Sequence, residues 1–389
     1  MDYSETEEMG MIRNSVRELA RDYDRDYVSE HVEEKKFPKE FWSDLADSGF
    51  VGTMIDEDYG GAGMGMLEMS VILEELAREG SPGGLLLVLT AIFGGVGVQE
   101  HGTQEQKDEY LPKIASGDML WSLGVTEPNA GINTLQIETT ADKDGDEYVI
   151  NGEKTWNSAT DKADMMLLTT RTTEYDPDNP THGITLFLLP NPADQDGVEL
   201  NQIDAVAPWF EKQYTVHFDG VRVSEDQVLG DVDGGLYQLW DTLNTERIAS
   251  AASGIGCGLR AVDVGVDYAN SREVFGGQPI SSHQAIQQPL AESYAKVMSA
   301  REMTYKASWK WDNDMECGLE ANTAKLLASE SAEEAASNAI QAHGGNAFSR
   351  EYDVFSLWVN SRIIQVAPIP NEMVKNFIGE HELGMPKSY

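Results

Sequence analysis

The spacing of apolar residues changes twice along the chain, and these changes limit the possible folds more than any other feature. From residue 7 to about 117, apolar residues recur at the spacing typical of amphipathic helices. Between about 118 and 230, short β-branched and aromatic runs separated by turn signals favour a small antiparallel β domain. From 236 to 379, long Ala-rich stretches return to helical spacing. The sequence therefore predicts an α+β chain with three domains, 1–117, 118–230 and 231–389.

Acidic residues far outnumber basic ones. The chain has 67 Asp and Glu against 28 Lys and Arg, which gives a formal charge of −39. Self-repulsion of this size is screened at ~1 M salt, where the Debye length is ~3 Å, so we expect a halophilic protein in a salt-rich cytoplasm. The composition also excludes an electrostatic nucleic-acid-binding face, because such a face needs clustered cations.

The two cysteines and the ends of the chain carry little functional signal. Cys257 and Cys317 lie in different segments without a metal or disulfide pattern, so we expect packed thiols in a reducing compartment. The acidic N-terminus does not resemble a signal peptide. The uncharged run 81–99 is broken by proline and glycine, which disfavours a membrane span. We therefore expect a cytoplasmic protein with no membrane contact.

Generic cofactor and metal motifs are absent from the sequence. Gly254, Gly256 and Gly258 lie within a helical stretch, not after a strand, which disfavours a dinucleotide-binding loop. The seven histidines lack the spacing of metal ligands, and no metal site is predicted.

Two polar, turn-rich segments at the start of the β domain, 123–131 and 151–158, carry the strongest functional signal. They resemble the flavin-binding signatures of the acyl-CoA dehydrogenase family. The resemblance continues in order along nearly the whole chain. The further matching segments are 58–63, 102–106, 110–112, 218–223, Arg272 with Phe275-Gly276 and Gln284, and 341–346. The family fold implied is a helical N-terminal domain, a central antiparallel β-barrel and a C-terminal four-helix bundle.

The resemblance implies noncovalently bound FAD. The positions matching the family's flavin contacts are Leu123, Val125, Thr126, Gly131, Trp156 and Ser158. The positions matching contacts to the FAD pyrophosphate and adenosine across a subunit interface are Arg272, Phe275, Gln284, Gln341, Gly344 and Gly345. Two plainer interpretations stay open, namely that Trp156 is an ordinary core residue and that Arg272 forms a surface ion pair.

The catalytic base departs from the usual family pattern. The family's Glu-Gly-Thr falls on Pro368-Ile369-Pro370, so the common base is absent. A minority of the family carries the base on a bundle helix just before an arginine, which here gives Glu246 before Arg247. Glu246 is therefore the candidate base, and Glu372 is a weaker candidate. The alternative is that Glu246 and Arg247 form a capping or ion-pair feature near a helix start.

The resemblance also implies the reaction. An acyl-CoA is oxidised to its trans-2-enoyl-CoA, and the electrons pass to an electron-transferring flavoprotein. The expected assembly is a homotetramer, and Ile132, Asn244 and Arg247 are the expected substrate contacts. Proline has no N–H, so Pro368 removes one donor to the thioester carbonyl, a loss that typically costs ~10²–10³ in rate. Two alternatives therefore remain: an acyl-CoA oxidase or flavin monooxygenase, and a catalytically silent scaffold.

Overall fold

A computed structural model describes residues 6–23, 25–81, 83–207 and 210–387. Their contacts group into two compact units. The bundle unit comprises Met1–Glu30, Gly65–Gly84 and Asn244–Tyr389, and the sheet unit comprises His31–Met64 and Leu85–Leu243. The chain passes from the sheet unit to the bundle unit within one long helix.

The helices are as follows: α1 Glu7–Asp22, α2 Arg25–Glu34, α3 Lys39–Asp47, α4 Met66–Arg78, α5 Gly84–Leu87, α6 Gly97–His101, α7 Gln104–Ala115, α8 Gly235–Ser271, α9 Gln284–Asp312, α10 Gly318–His343, α11 Val354–Ile364 and α12 Asn371–His381. The strands are as follows: β1 Trp121–Gly124, β2 Thr140–Asp144, β3 Glu147–Ser158, β4 Met165–Arg171, β5 Ile184–Pro190, β6 Val198–Ile203, β7 Gln213–Ser224, β8 Val228–Leu229, β9 Glu273–Val274 and β10 Gln278–Pro279.

Small residues let the helices of the bundle unit pack closely. The core between α8, α9 and α10 is rich in alanine, as the sequence pattern predicts. A Cβ added at Gly256 would lie 2.1 Å from the Glu74 carbonyl oxygen, and one at Gly258 would lie 2.8 Å from the Val297 side chain. The glycines of this stretch therefore serve helix–helix contact.

A cluster of charged side chains is buried between α1, α4 and α9. Glu74 and Glu75 are fully buried, and both pair with Arg13. Arg301 Nε lies 3.0 Å from Glu74 Oε2, and the Tyr305 hydroxyl donates to the same oxygen at 2.8 Å. Buried charges are costly unless they are paired, so this cluster fixes which faces of the three helices meet.

Eight strands of the sheet unit form one sheet in the order β6-β7-β3-β2-β4-β5-β8, with β1 joined to β4. Most neighbours are antiparallel, but β1 and β2 both pair in parallel with β4, so the expectation of an antiparallel domain was wrong at these two pairings. The chain reaches β1 directly from the helical segments, which lets β1 enter in the same direction as β4. At the β8 edge of the sheet, Gln106 of α7 donates to the Asp226 and Val228 carbonyls at 2.8 and 2.9 Å.

One apolar helical segment, Gly84–His101, is long and apolar enough to cross a membrane, but 72% of it is buried inside the protein. Its central part, Val88–Val96, has π-helical hydrogen bonding. A Cβ at Gly94 would lie 2.7 Å from the Trp121 ring, so the helix approaches β1 closely at that point. Its burial is that of a core helix.

Candidate functional site

The two polar segments singled out in the sequence, around Val125 and Trp156, lie side by side in the sheet unit. The Thr155 N–H donates to the Thr126 carbonyl at 2.8 Å. The Ser122 hydroxyl donates to the Ser158 carbonyl at 2.9 Å, and Ser158 Oγ donates to Gln213 Oε1 at 2.9 Å. The structure therefore brings these two parts of the chain into one surface.

A β-bulge presents Trp156 on that surface. Lys154 pairs with Val216 and Asn157 pairs with Tyr214, so β3 carries one extra residue at this point. Trp156 has a φ of 61° and an exposed fraction of 55%. A bulge re-aims the side chains beside it, and bulges are frequent next to functional sites. Trp156 is thus not a core residue, which removes the plainer interpretation of this position.

The backbone beside Trp156 offers donors. The Val125 and Thr126 N–H groups donate to no acceptor among the described residues. Gly131 has open space around it, and Ile132 is 63% exposed, whereas Leu123 is half-buried in β1. Available N–H groups beside an exposed indole suit a flat ring ligand that carries hydrogen-bond acceptors.

Glu246 lies in the interior of α8, in the bundle unit. The helix begins at Gly235, three turns earlier, so the alternative of a feature near the helix start is wrong. The Glu246 side chain is half-buried, and burial raises its pKa to about 7 although the Arg247 charge acts in the opposite direction. Arg247 does not form an ion pair with it, since Arg247 Nη1 instead donates to Asn244 Oδ1 at 3.0 Å.

A buried lysine holds the C-terminal loop around Pro368. Lys325 is fully buried and donates to the Ile369 carbonyl at 2.5 Å and to Asn371 Oδ1 at 2.8 Å. Burial lowers the pKa of Lys325 to about 8. The Ile369 N–H donates to no described acceptor. Glu372 lies in the first turn of α12 and is exposed.

The third predicted group consists of the residues that match the family's contacts to the FAD pyrophosphate and adenosine. This group lies at one end of the bundle unit and is exposed to solvent. Its exposed members are Arg272, Phe275, Gln284, Gln341, Gly344 and Gly345. Arg272 has no ion pair within the described part of the chain, so a surface ion pair does not explain it. Phe275 is 93% exposed with a φ of 45°.

Tyr268, which sequence analysis missed, connects parts of this third group. Its hydroxyl accepts from Asn346 at 2.9 Å, its ring stacks on His343 at 4.1 Å, and its carbonyl accepts from the Arg272 N–H at 2.9 Å. Lys325, Lys154 and Glu127 were missed as well. The last two stand inside the quoted flavin-like segments, where their charge in a β-rich stretch was the available signal.

Family models cover most of the chain. They are described as the acyl-CoA dehydrogenase N-terminal domain, which matches residues 6–118, the middle domain, which matches 122–221, and the C-terminal domain, which matches 233–383. A relative from Mycobacterium tuberculosis, acyl-CoA dehydrogenase FadE12, is 35% identical over 389 residues, which is 100% of this chain and 99% of the relative.

Solved structures give the same result. The glutaryl-coenzyme A dehydrogenase glutaryl-CoA complex matches with a TM-score of 0.94 and 28% identity, over 100% of this chain and 98% of that chain. A chain in the solved structure of the electron transferring flavoprotein of Acidaminococcus fermentans matches with a TM-score of 0.92 and 28% identity, over 98% and 99%. The predicted fold class, with helical terminal domains around a central β domain, is confirmed.

Proposed function

Because the chain belongs to the acyl-CoA dehydrogenase family, we propose that it oxidises an acyl-CoA thioester to the trans-2-enoyl-CoA with bound FAD. When bound, FAD supplies the acceptor for a hydride. The substrate loses a proton from Cα and a hydride from Cβ, and the Cα–Cβ double bond forms. The protein's own part is to bind both molecules, remove the proton and stabilise charge on the thioester oxygen.

Glu246 is the proposed base, and its environment is the observation that carries the proposal. The carboxyl is half-buried, and burial raises its pKa to about 7. A base with a pKa near the working pH is ionised often enough to accept a proton and basic enough to remove it. Glu372 is exposed, so it lacks the burial that gives Glu246 this property. Asn244, Arg247 and Ile132 are proposed to contact the substrate.

The thioester oxygen needs hydrogen-bond donors as negative charge develops on it. Pro368 has no N–H, but the N–H of the next residue, Ile369, is available. Lys325 holds the Ile369 carbonyl and Asn371, and thereby fixes this loop. We assign the missing donor to Ile369.

The FAD ring is assigned to the surface around Trp156. The available N–H groups of Val125 and Thr126 suit acceptor atoms of the ring, and the exposed indole suits its flat face. The residues assigned to the ring are Leu123, Val125, Thr126, Gly131, Trp156 and Ser158. The residues assigned to the pyrophosphate and adenosine of a neighbouring subunit's FAD are Arg272, Phe275, Gln284, Gln341, Gly344 and Gly345.

The wider setting is also part of the proposal. We propose a homotetramer in a salt-rich cytoplasm, with the three domains bounded as predicted, at 1–117, 118–230 and 231–389. The charge of −39 supports the salt requirement, and the exposed Phe275 supports a subunit contact. An electron-transferring flavoprotein is the proposed electron acceptor.

Anaerobic titration of the purified protein in ~2 M salt, which screens its charge, tests the function. The panel contains straight-chain, branched, glutaryl and methylsuccinyl thioesters of CoA, with the matching free acids as controls. We expect one class of acyl-CoA to bleach the flavin absorbance. Rapid oxygen consumption without an added acceptor would favour an oxidase or monooxygenase. Bound FAD that no acyl-CoA bleaches would contradict the dehydrogenase and favour a silent scaffold.

A further inference from the structure

A buried ion pair lies directly beneath the proposed flavin surface. Lys154 Nζ lies 2.7 Å from Glu127 Oε1, and the side chains are 0% and 4% exposed. The same Nζ donates to the Val125 carbonyl at 3.1 Å. Burial lowers the pKa of Lys154 to about 8, although Glu127 acts in the opposite direction. A buried lysine is costly unless its N–H groups donate to acceptors, and here they donate to Glu127 and Val125.

Glu127 connects the pair to a third part of the chain. Its two carboxylate oxygens accept the backbone N–H groups of Glu138 and Thr139 at 2.5 and 3.0 Å. Burial alone would raise the pKa of Glu127, but Lys154 and these N–H groups hold the pKa below its usual value. A neighbouring buried arginine, Arg171, donates to the Leu135 and Ile137 carbonyls at 2.7 and 3.1 Å. The loop before β2 is thereby joined to the pair.

The ion pair of Lys154 and Glu127 supports two parts of the proposed flavin surface. Through the Val125 carbonyl, it fixes the segment that carries the available N–H groups of Val125 and Thr126. Along β3, Lys154 is the last paired residue before the bulge that exposes Trp156. Between these two places, the Thr155 N–H donates to the Thr126 carbonyl at 2.8 Å. Lys154 therefore anchors both the donor segment and the indole from the buried side of the sheet.

We infer that Lys154 and Glu127 are positioning residues that hold the Val125–Thr126 backbone and the Trp156 bulge in the geometry that receives the flavin ring. The inference rests on the proposed function, because it assigns FAD as the ligand. Neither side chain reaches the ligand surface, since both are buried. Their effect reaches the ligand surface through the Val125 carbonyl and the Trp156 bulge. A change in that effect can be measured as a change in FAD affinity and in the spectrum of the bound flavin.

The test uses variants matched in shape. Lys154→Met removes the cation but keeps the chain length, and Lys154→Met combined with Glu127→Gln also removes the carboxylate that would otherwise lose its lysine partner. Lys143→Met is the control, because Lys143 forms an exposed ion pair with Glu225 at 2.7 Å in the same sheet. FAD affinity is measured by flavin fluorescence, and the flavin environment by visible circular dichroism at saturating FAD.

We expect both Lys154 variants to bind FAD at least ~10-fold more weakly, the order lost when groups that orient metal ligands are removed. At saturation their visible circular dichroism should differ from that of the wild type, which a purely structural role would leave unchanged. The inference is overturned if the double variant binds FAD within about twofold of the wild type with the same spectrum. If Lys154→Met does not fold, the double variant decides alone. A wild type that binds no FAD would instead overturn the proposed function.

Discussion

The ionisation of Glu246 determines how the proposed reaction responds to pH. With a pKa raised to about 7 by burial, roughly nine-tenths of the carboxyls are ionised at pH 8 and roughly one-tenth at pH 6. Only the carboxylate accepts a proton. The rate of flavin reduction at low substrate should therefore fall about tenfold from pH 8 to pH 6. An ordinary glutamate, with a pKa near 4.3, would change by only a few per cent over the same range.

Two substitutions separate Glu246 from other groups that titrate. Glu246→Gln keeps the shape of the side chain but removes its basicity, so flavin reduction should fall by ~10²–10⁴ while FAD stays bound. The Arg247 cation lowers the pKa of Glu246, so Arg247→Gln should move the midpoint of the pH profile upward. Glu372→Gln is the control, because that side chain is exposed, and it should keep the tenfold pH dependence.

The assay is anaerobic stopped-flow mixing of the FAD-loaded protein with the acyl-CoA that bleaches it in titration. Flavin absorbance is followed at several pH values in ~2 M salt, which keeps electrostatic screening constant. A rate that does not change between pH 8 and pH 6, or near wild-type reduction by Glu246→Gln, would refute the assignment of the base.

Three further predictions concern assembly, the loop and the core. At ~0.05 M salt, the subunits should separate and release FAD together, whereas at ~2 M salt they should stay assembled with FAD bound. Sedimentation measures the assembly, and flavin absorbance measures the bound FAD. Equal assembly and equal FAD content at both salt concentrations would contradict the role of screening. Lys325→Met should slow flavin reduction ~10–10²-fold with FAD still bound, whereas Lys375→Met, at an exposed ion pair with Glu330, should not. Gly256→Ala should destabilise the protein by about 1–3 kcal/mol or more in thermal unfolding; Gly10→Ala, which meets no atom within 4 Å, should not.

Local sequence signals predicted much of the fold. The Asp144-Gly145 turn does join β2 to β3, and the Ala-rich stretch after Glu246 does form α8. These features depend on residues close in sequence, where turn chemistry and periodicity are informative. The parallel pairing of β1 with β4 was not predictable in this way, because strand direction depends on how distant segments meet. The alternative that Glu246 lies near a helix start was wrong, because α8 begins at Gly235.

In the candidate site, too, some features were predictable from the sequence and others depend on tertiary contacts. Family resemblance selected Trp156 and Glu246, but it did not indicate the bulge that presents Trp156. Lys154 and Lys325 look like ordinary surface residues in the sequence, since lysine is rarely buried. Their role depends on single carbonyl oxygens, those of Val125 and Ile369, that only the folded chain places within reach.

The buried charge cluster of α1, α4 and α9 has a consequence for the order of events during protein synthesis. Glu74 leaves the ribosome 227 residues before its partner Arg301, an interval of about 11–45 s at ~5–20 residues per second. Through that time, among the described residues, the cations that pair with Glu74 and Glu75 come from α1, namely Arg13 and Arg17. The sheet unit, complete by Leu243, can fold in the interval, whereas the pairing of Glu74 with Arg301 and Tyr305 waits until α9 emerges.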